Sequence, residues 1–179
     1  MEKLDVVSTR LVKDAPLMSK TPITKPKDAV YLIGEELCQR DREVLCVINL
    51  KTNGIPISCN YVTMGTLNQS LVHPREIFKS SILSNAESMV IVHNHVSGKL
   101  EPSEDDTKIT ERMVDLCDMM GIPLLDHIIV GGDNTEYFSF REKEILPYSK
   151  KSYTKDYQEI KFKEEKVAEE LVRVHRRGR

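Results

Sequence analysis

The segment from Val90 to Asp106, "VIVHNHVSGKLEPSEDD", decides the fold expected of this chain. It begins with an apolar run typical of a buried β-strand and ends in acidic residues typical of a helix start. Side chains at positions i and i+2 of a strand point to the same face. The sequence therefore predicts that His93 and His95 project together while Asn94 points away. Two imidazoles in this arrangement can share one metal ion.

A carboxylate follows the two histidines in the first turn of the next predicted helix. If this helix begins at Ser103, Asp106 faces back towards the end of the strand. Two histidines and one aspartate leave a coordination position open, as in catalytic zinc sites, and such ligands also fit Fe(II) or Mn(II). Ser103 and Asp106 also have nearly the spacing of a capping box, in which both side chains satisfy helix amides. The residues alone leave both interpretations open.

Helices alternate with strands on either side of this segment. In chain order, the predicted elements are a helix in "PKDAVYLIGEELCQRD", a hairpin of "VLCVINL" and "IPISCNYVTMG" around the turn "KTNG", a helix in "PREIFKSSILSNAE", the strand "SMVIVHNH", a helix from Ser103 to Met120 that stops at Gly121, and strands in "IPLLDHIIVGG" and "TEYFSF". This alternation predicts an α/β layered domain with a mixed sheet.

Composition narrows the class of protein. With 179 residues and 40% hydrophobic content, the chain can bury one sizeable core. A net charge of -2 argues against a surface built wholly for nucleic acid, although it permits a local basic patch. Four scattered cysteines without a Cys-x-x-Cys pair predict reduced thiols. Without a signal-peptide pattern or an apolar run of roughly 18 residues, we expect a cytoplasmic protein that does not enter membranes.

Three regions are predicted along the chain: an N-terminal extension over residues 1–22, a domain over 23–147 and a charged, helical tail over 148–179. The tail contains "RVHRRGR", whose basic side chains suit contact with DNA phosphates. Glutamates interspersed in the tail favour a solvated helix face over this contact.

The motif "HNHVSGKLEPSEDD" resembles the His-x-His, Ser-x-x-Asp signature of the JAB/MPN (JAMM) metalloproteases. The stretches "GTLNQSLVHPREIFKSSILSNAESMVIVHNH" and "LLDHIIVGG" are similar to the RadC subgroup of that superfamily. The resemblance runs from Ile23 to Leu146. It implies a three-layer JAMM (MPN-like) α/β domain, with a mixed β-sheet flanked by helices.

The resemblance also implies roles for the residues of the motif. His93, His95 and Asp106 would bind Zn²⁺, and the hydroxyl of Ser103 would stabilise a developing oxyanion. Val96 stands where RadC-like proteins usually have proline. Because that position is not a ligand, we expect a change in loop stiffness and no loss of metal.

The family's remaining catalytic residue is a glutamate where the first helix meets the following strand. Glu43 stands at this junction, with Glu35 and Glu36 as weaker candidates, although a solvated charge at a helix end is an alternative for Glu43. Asp126 and His127 match the subgroup's "LDH" pattern, and His127 in particular would support the ligands from behind. A structural pair is the alternative for these two.

The implied reaction is metal-assisted hydrolysis, in which zinc lowers the pKa of a water and Glu43 takes its proton as it attacks a peptide or isopeptide carbonyl. The protein or peptide substrate is not specified by the motifs. A DNA-associated accessory protein of repair or mobile elements, with weak or no protease activity, is a second hypothesis, and a metal-dependent nuclease is a third. We expect a short form without the helix-hairpin-helix region of longer RadC proteins, which weakens the DNA hypothesis.

Overall fold

The computed structural model describes residues 21–64 and 72–146. The predicted C-terminal tail, with its suggested DNA contact, and nearly all of the predicted N-terminal extension lie outside these ranges. The predictions made for them therefore stay predictions.

Five strands form one sheet in the order β2-β1-β3-β4-β5. The strands are β1 (Val44–Leu50), β2 (Pro56–Met64), β3 (Ser88–His95), β4 (Leu124–Gly131) and β5 (Tyr137–Ser139). Strands β3 and β4 run parallel, and the other neighbouring pairs are antiparallel. The predicted β1–β2 hairpin and the mixed sheet are confirmed.

Helical residues occupy three stretches between the strands. The first comprises α1 (Pro26–Ala29), a π-helical segment (Val30–Gly34) and α2 (Glu35–Cys38). The others are α3 (Pro74–Leu83) and α4 (Glu104–Met120). Helix α4 ends at Gly121, whose φ of 66° lies in the left-handed region that glycine adopts without strain.

The sheet is covered on both faces, which explains the unbroken apolar runs of its central strands. Residues 26–38 pack against one face, where Val44, Cys46 and Val90 are buried. Helices α3 and α4 pack against the other face, where Leu45 and Ile91 are buried. The predicted three-layer α/β fold is confirmed.

Strand directions bring distant parts of the chain to one end of the sheet. Because β3 and β4 are parallel, the chain must return to the start of β4 through α4, so α4 begins beside the carboxyl end of β3. Strand β1 is antiparallel to β3, so the start of β1 lies at the same end. Residues near positions 43, 95 and 106 are therefore gathered together.

Two expectations drawn from composition concern cysteines and membranes. None of the four cysteines forms a disulfide; Cys46 and Cys117 are buried, and Cys38 and Cys59 are half-buried. Within residues 21–64 and 72–146, no helix combines the length and apolar character that a membrane span needs.

Candidate metal centre

His93 and His95 lie at the end of β3 and point to the face covered by α4. Their Nε2 atoms are 3.0 Å apart. The side chain of His93 is fully buried, whereas 10% of the His95 side chain is exposed. The pair therefore opens to solvent on the side of His95.

Asp106 is the third residue of α4 and turns its carboxylate towards both rings. Its Oδ1 lies 3.2 Å from Nε2 of His93, and its Oδ2 lies 3.2 Å from Nε2 of His95. The same residue closes a capping box: Ser103 Oγ accepts from the Asp106 amide at 3.1 Å and donates to Oδ2 at 2.6 Å. The Ser103 amide also donates to Oδ2, at 2.7 Å. The cap and the ligand arrangement therefore coexist in one side chain.

A chain of hydrogen bonds from α4 fixes the proton on the buried histidine. The Thr110 hydroxyl donates to the Asp106 carbonyl at 2.5 Å, since a carbonyl can only accept. Thr110 Oγ1 must then accept from Nδ1–H of His127, 2.6 Å away. Nε2 of His127 in turn accepts from Nδ1–H of His93 at 2.8 Å. The Nε2 lone pair of neutral His93 is left pointing at Asp106.

A loop carbonyl fixes the proton of the second histidine in the same way. Nδ1–H of His95 donates to the Lys99 carbonyl at 2.7 Å, which leaves Nε2 of the neutral ring unprotonated. The loop reaches this position because Gly98 packs directly on Gly131; a Cβ at Gly131 would lie 3.1 Å from the α-carbon of Gly98. Backbone contact between two glycines thus holds the carbonyl on the ring.

The donor set fits a divalent metal ion. Two unprotonated Nε2 atoms and a carboxylate from His93, His95 and Asp106 face one point at separations of 3.0 to 3.2 Å. Ligands held at about 2.0–2.1 Å around a tetrahedral ion are roughly 3.3 Å apart. Each histidine also donates its other ring N–H to a protein acceptor, as metal-binding histidines almost always do. Metal binding by this group is therefore chemically well supported.

Electrostatics at the site favour a negative aspartate. Burial raises the pKa of Asp106, but the hydrogen bonds that His93 and His95 donate when their Nε2 atoms carry a proton outweigh it and hold this pKa below its usual range. The hydrogen bond with Asp106 raises the pKa of His95, with burial opposing it and the Lys99 carbonyl adding to it. Burial lowers the pKa of His127 well below its ordinary value, and the positive charge that His93 carries when it is protonated lowers it further. His127 is therefore neutral at physiological pH, as the hydrogen-bond chain requires.

Glu43 precedes β1 on the same face as the histidines. Leu45 pairs with His93 in the β1–β3 register, and continuing this register by two residues places Glu43 opposite His95. The hydrogen bond with Asp106 is the largest cause of the raised His95 pKa, and the negative charge of Glu43 adds to it. The register and this charge effect both place Glu43 near His95.

The two other glutamates considered as bases lie elsewhere. Glu36 Oε1 accepts from the Tyr61 hydroxyl at 2.6 Å and from Arg40 at 2.5 Å. Tyr61 packs against the core on the face covered by residues 26–38, opposite the histidines. Glu35, which directly precedes Glu36 in α2, is exposed. Glu43 is thus the member of the three that shares a face with His95.

Asp126 and His127 are adjacent in the chain but have different hydrogen-bond partners in the structure. Asp126 Oδ2 accepts from the Ser139 hydroxyl at 2.6 Å, and Oδ1 accepts from the Arg141 amide at 3.0 Å. These bonds join β4 to β5 and the residues after it. His127 contacts His93 directly, so of the predicted pair it is His127 that supports a candidate ligand.

Three contributors to the site were missed from the sequence: Thr110, the Lys99 carbonyl and Asn94. Thr110 lies four residues after Asp106 on α4, so helical spacing offered a signal. Asn94 lies on the apolar face of β3 opposite the histidines, and because it is only 1% exposed its amide needs a hydrogen-bond partner. The Lys99 carbonyl carried no side-chain signal.

Comparison with known proteins agrees with this geometry. The family model described as RadC-like JAB domain matches residues 23–145. Among relatives, a UPF0758 protein of Clostridium perfringens is 46% identical over 129 residues, which cover 72% of this chain and 56% of the relative. A UPF0758 protein of Clostridium tetani is 47% identical over 124 residues, covering 69% and 54%.

A UPF0758 protein of Desulfitobacterium hafniense is 40% identical over 137 residues, covering 76% of this chain and 59% of the relative. The chain therefore spans just over half the length of these curated relatives. The family match covers the helices, the sheet and every residue of the candidate metal centre. This chain belongs to the family of RadC-like JAB domains.

Proposed function

We propose that the protein is a metal-dependent hydrolase that cleaves a peptide or isopeptide bond. One observation carries the proposal: two buried or nearly buried imidazoles and a carboxylate turn their lone pairs to one point, each imidazole fixed from behind by a hydrogen bond. His93, His95 and Asp106 would hold the ion. Nitrogen and oxygen donors with an open position favour Zn²⁺ as the metal.

The chain's own residues can supply the remaining chemistry. A divalent ion at the site provides Lewis-acid activation of water. Glu43, opposite His95, accepts a proton from the attacking water and passes it to the leaving amine. The Ser103 hydroxyl donates to the oxyanion that develops on the carbonyl, and it must first turn away from Asp106 Oδ2, its acceptor at 2.6 Å.

Metal analysis tests the first step. Purified protein should bind about one equivalent of zinc, and His93→Ala, His95→Ala and Asp106→Ala should each lose most of it. His73→Ala is the matched control, because His73 is an exposed histidine at the start of α3. If the three ligand variants bound zinc as the parent and control proteins do, the metal centre would be refuted.

A cleavage screen tests the second step. Parent protein and Glu43→Gln are offered fluorogenic peptides, lysine isopeptides and nucleic acids at equal zinc content. We expect cleavage of peptide or isopeptide substrates and a loss of about 10²- to 10⁴-fold in Glu43→Gln, the range for a missing general base. Metal-dependent cleavage of nucleic acid alone would reassign the bond to a phosphodiester.

A further inference from the structure

Asn94 lies between the two candidate ligand histidines but faces the other way. Its side chain is only 1% exposed. Alternation along β3 turns it to the face covered by residues 26–38, away from the rings of His93 and His95. A polar amide buried there must find partners, since an unsatisfied one costs free energy.

The partners of Asn94 are the backbone groups on either side of Glu43. Asn94 Oδ1 accepts from the Val44 amide at 2.7 Å, and Asn94 Nδ2 donates to the Arg42 carbonyl at 3.1 Å. An amide N–H can only donate and a carbonyl can only accept, so the orientation of the side-chain amide is determined by chemistry. The Asn94 side chain thus forms hydrogen bonds with the backbone immediately before and after Glu43.

These two hydrogen bonds extend the connection between β1 and β3 beyond the last backbone pair of the two strands. The β1–β3 register ends with Leu45 opposite His93. Beyond that pair, the Asn94 side chain joins the segment that carries Glu43 to β3. Aspartate, with the same shape, offers no donor for the Arg42 carbonyl, so asparagine suits both bonds where aspartate suits one.

We propose that Asn94 is a positioning residue that holds Glu43 in register with the ligands His93 and His95. The inference rests on the proposed function, in which Glu43 is the base. Because one residue of β3 connects the two ligands to the backbone of the base, any shift of the strand end moves all three together. These two bonds thereby fix the distance between the base and the metal site.

Cobalt-substituted protein provides a test that needs no substrate. Co²⁺ in a site of nitrogen and oxygen ligands has visible bands that respond to protonation beside the ion. Spectra are recorded against pH for the parent, Glu43→Gln, Asn94→Asp, Asn94→Ala and the double variant Glu43→Gln/Asn94→Ala. Asn49→Ala is the matched control, since Asn49 is a fully buried asparagine in β1 that bonds to Ser58 and Ser80.

We expect Glu43→Gln to shift the midpoint of the spectral change and both Asn94 variants to shift it in the same direction. The double variant should show no shift beyond that of Glu43→Gln, because a positioning residue has no effect once the base is gone. Cobalt stoichiometry should stay near one throughout. With a cleavable substrate, Asn94→Ala should lose about 100-fold in kcat, the scale of a 1 Å misplacement, with KM little changed.

Two outcomes overturn the inference, and they are distinguishable. If Glu43→Gln shifts the midpoint but the folded Asn94 variants match the parent and Asn49→Ala, then Asn94 is merely structural and the proposed function stands. If Glu43→Gln alters neither the spectrum nor cleavage, the base is misassigned, and both proposals about Glu43 fail. If Asn94→Ala does not fold, the spectral midpoint of Asn94→Asp, which keeps the shape of the side chain, provides the same test.

Discussion

Thr110 Oγ1 lies 2.6 Å from Nδ1 of His127. A hydroxyl of α4 therefore supports the series of hydrogen bonds that orients the ring of His93. Thr110→Val keeps the shape of the side chain and removes the acceptor of His127 Nδ1–H. Without it, His127 can change tautomer and compete for the proton on His93. We expect zinc affinity to fall by about 10- to 100-fold, measured by competition with a chelating fluorophore.

Thr107→Val is the control for this variant. Thr107 is on the same helix and also donates its hydroxyl to the carbonyl four residues earlier, that of Ser103, at 3.1 Å. It is exposed, whereas Thr110 is buried. Zinc affinity in Thr107→Val should equal that of the parent. Equal affinities in both variants would show that the Thr110–His127 bond does not support the ligand.

Stability and metal affinity should respond to pH in opposite directions. The hydrogen bond with Asp106 raises the pKa of His95 above its ordinary value of 6.5. In the metal-free protein, the resulting stabilisation is fully present below pH 6.5 and is lost as the pH rises through the raised pKa. Zinc competes with the same proton, so its affinity should increase over that range.

Thermal unfolding with chelator and zinc titrations, both between about pH 6 and 8, measure the two trends. Asp106→Asn removes the carboxylate whose hydrogen bond and charge raise the pKa of His95, and it should flatten the pH dependence of metal-free stability. A zinc affinity independent of pH in the parent protein would contradict protonation of His95 as the competing step.

Gly131→Ala should weaken the metal site without touching a ligand. The added methyl group would come within 3.1 Å of the α-carbon of Gly98, which pushes the loop outwards and withdraws the Lys99 carbonyl from His95. We expect a loss of about 10-fold in zinc affinity. Gly121→Ala is the control: a Cβ there meets nothing within 4 Å, but φ is +66°. It should cost about 1–2 kcal/mol of stability and leave zinc affinity unchanged.

The two roles of Ser103 can be separated by choice of substitution. Ser103→Ala loses the helix cap, at a cost of about 1 kcal/mol in the free energy of unfolding, whereas Ser103→Gly costs only a few tenths. Both lose the hydroxyl, so both should lose on the order of 100-fold in kcat if it stabilises the oxyanion. Denaturant unfolding and kinetics on one cleavable substrate give the two numbers. If the loss of activity in Ser103→Ala and Ser103→Gly followed their loss of stability, the role of Ser103 would be that of a helix cap only.

Local periodicity was sufficient to predict the elements, and together with the family resemblance it predicted the convergence of the motif. Alternation in β3 put His93 and His95 on one face, and Ser103 marked the helix start that aims Asp106 at them. The metal-ligand and capping-box interpretations of Asp106 are compatible in the sequence, since a helix start at Ser103 would aim Asp106 at the histidines. Its carboxylate has enough acceptor capacity for both, and in the structure it faces the histidines while closing the cap.

The rest of the site depends on strand pairing, which periodicity does not contain. His127 reaches His93 because β4 pairs in parallel with β3, and Thr110 becomes meaningful only once His127 is beside it. Asn94 was correctly predicted to point away from the metal, yet its partners in β1 are 50 positions earlier in the chain. Only the β1–β3 register brings them together.

The sequence distances within the site set the order in which it can assemble. His95 and Asp106 are 11 positions apart, on a strand and helix that follow each other directly, and closing so short a loop costs little chain entropy. Glu43 joins them only through pairing across a far longer loop. A folding chain can therefore bring its candidate metal ligands together before Glu43 joins them. On the proposed function, the three metal ligands come from one strand–helix unit, whereas the base is added by pairing across the sheet.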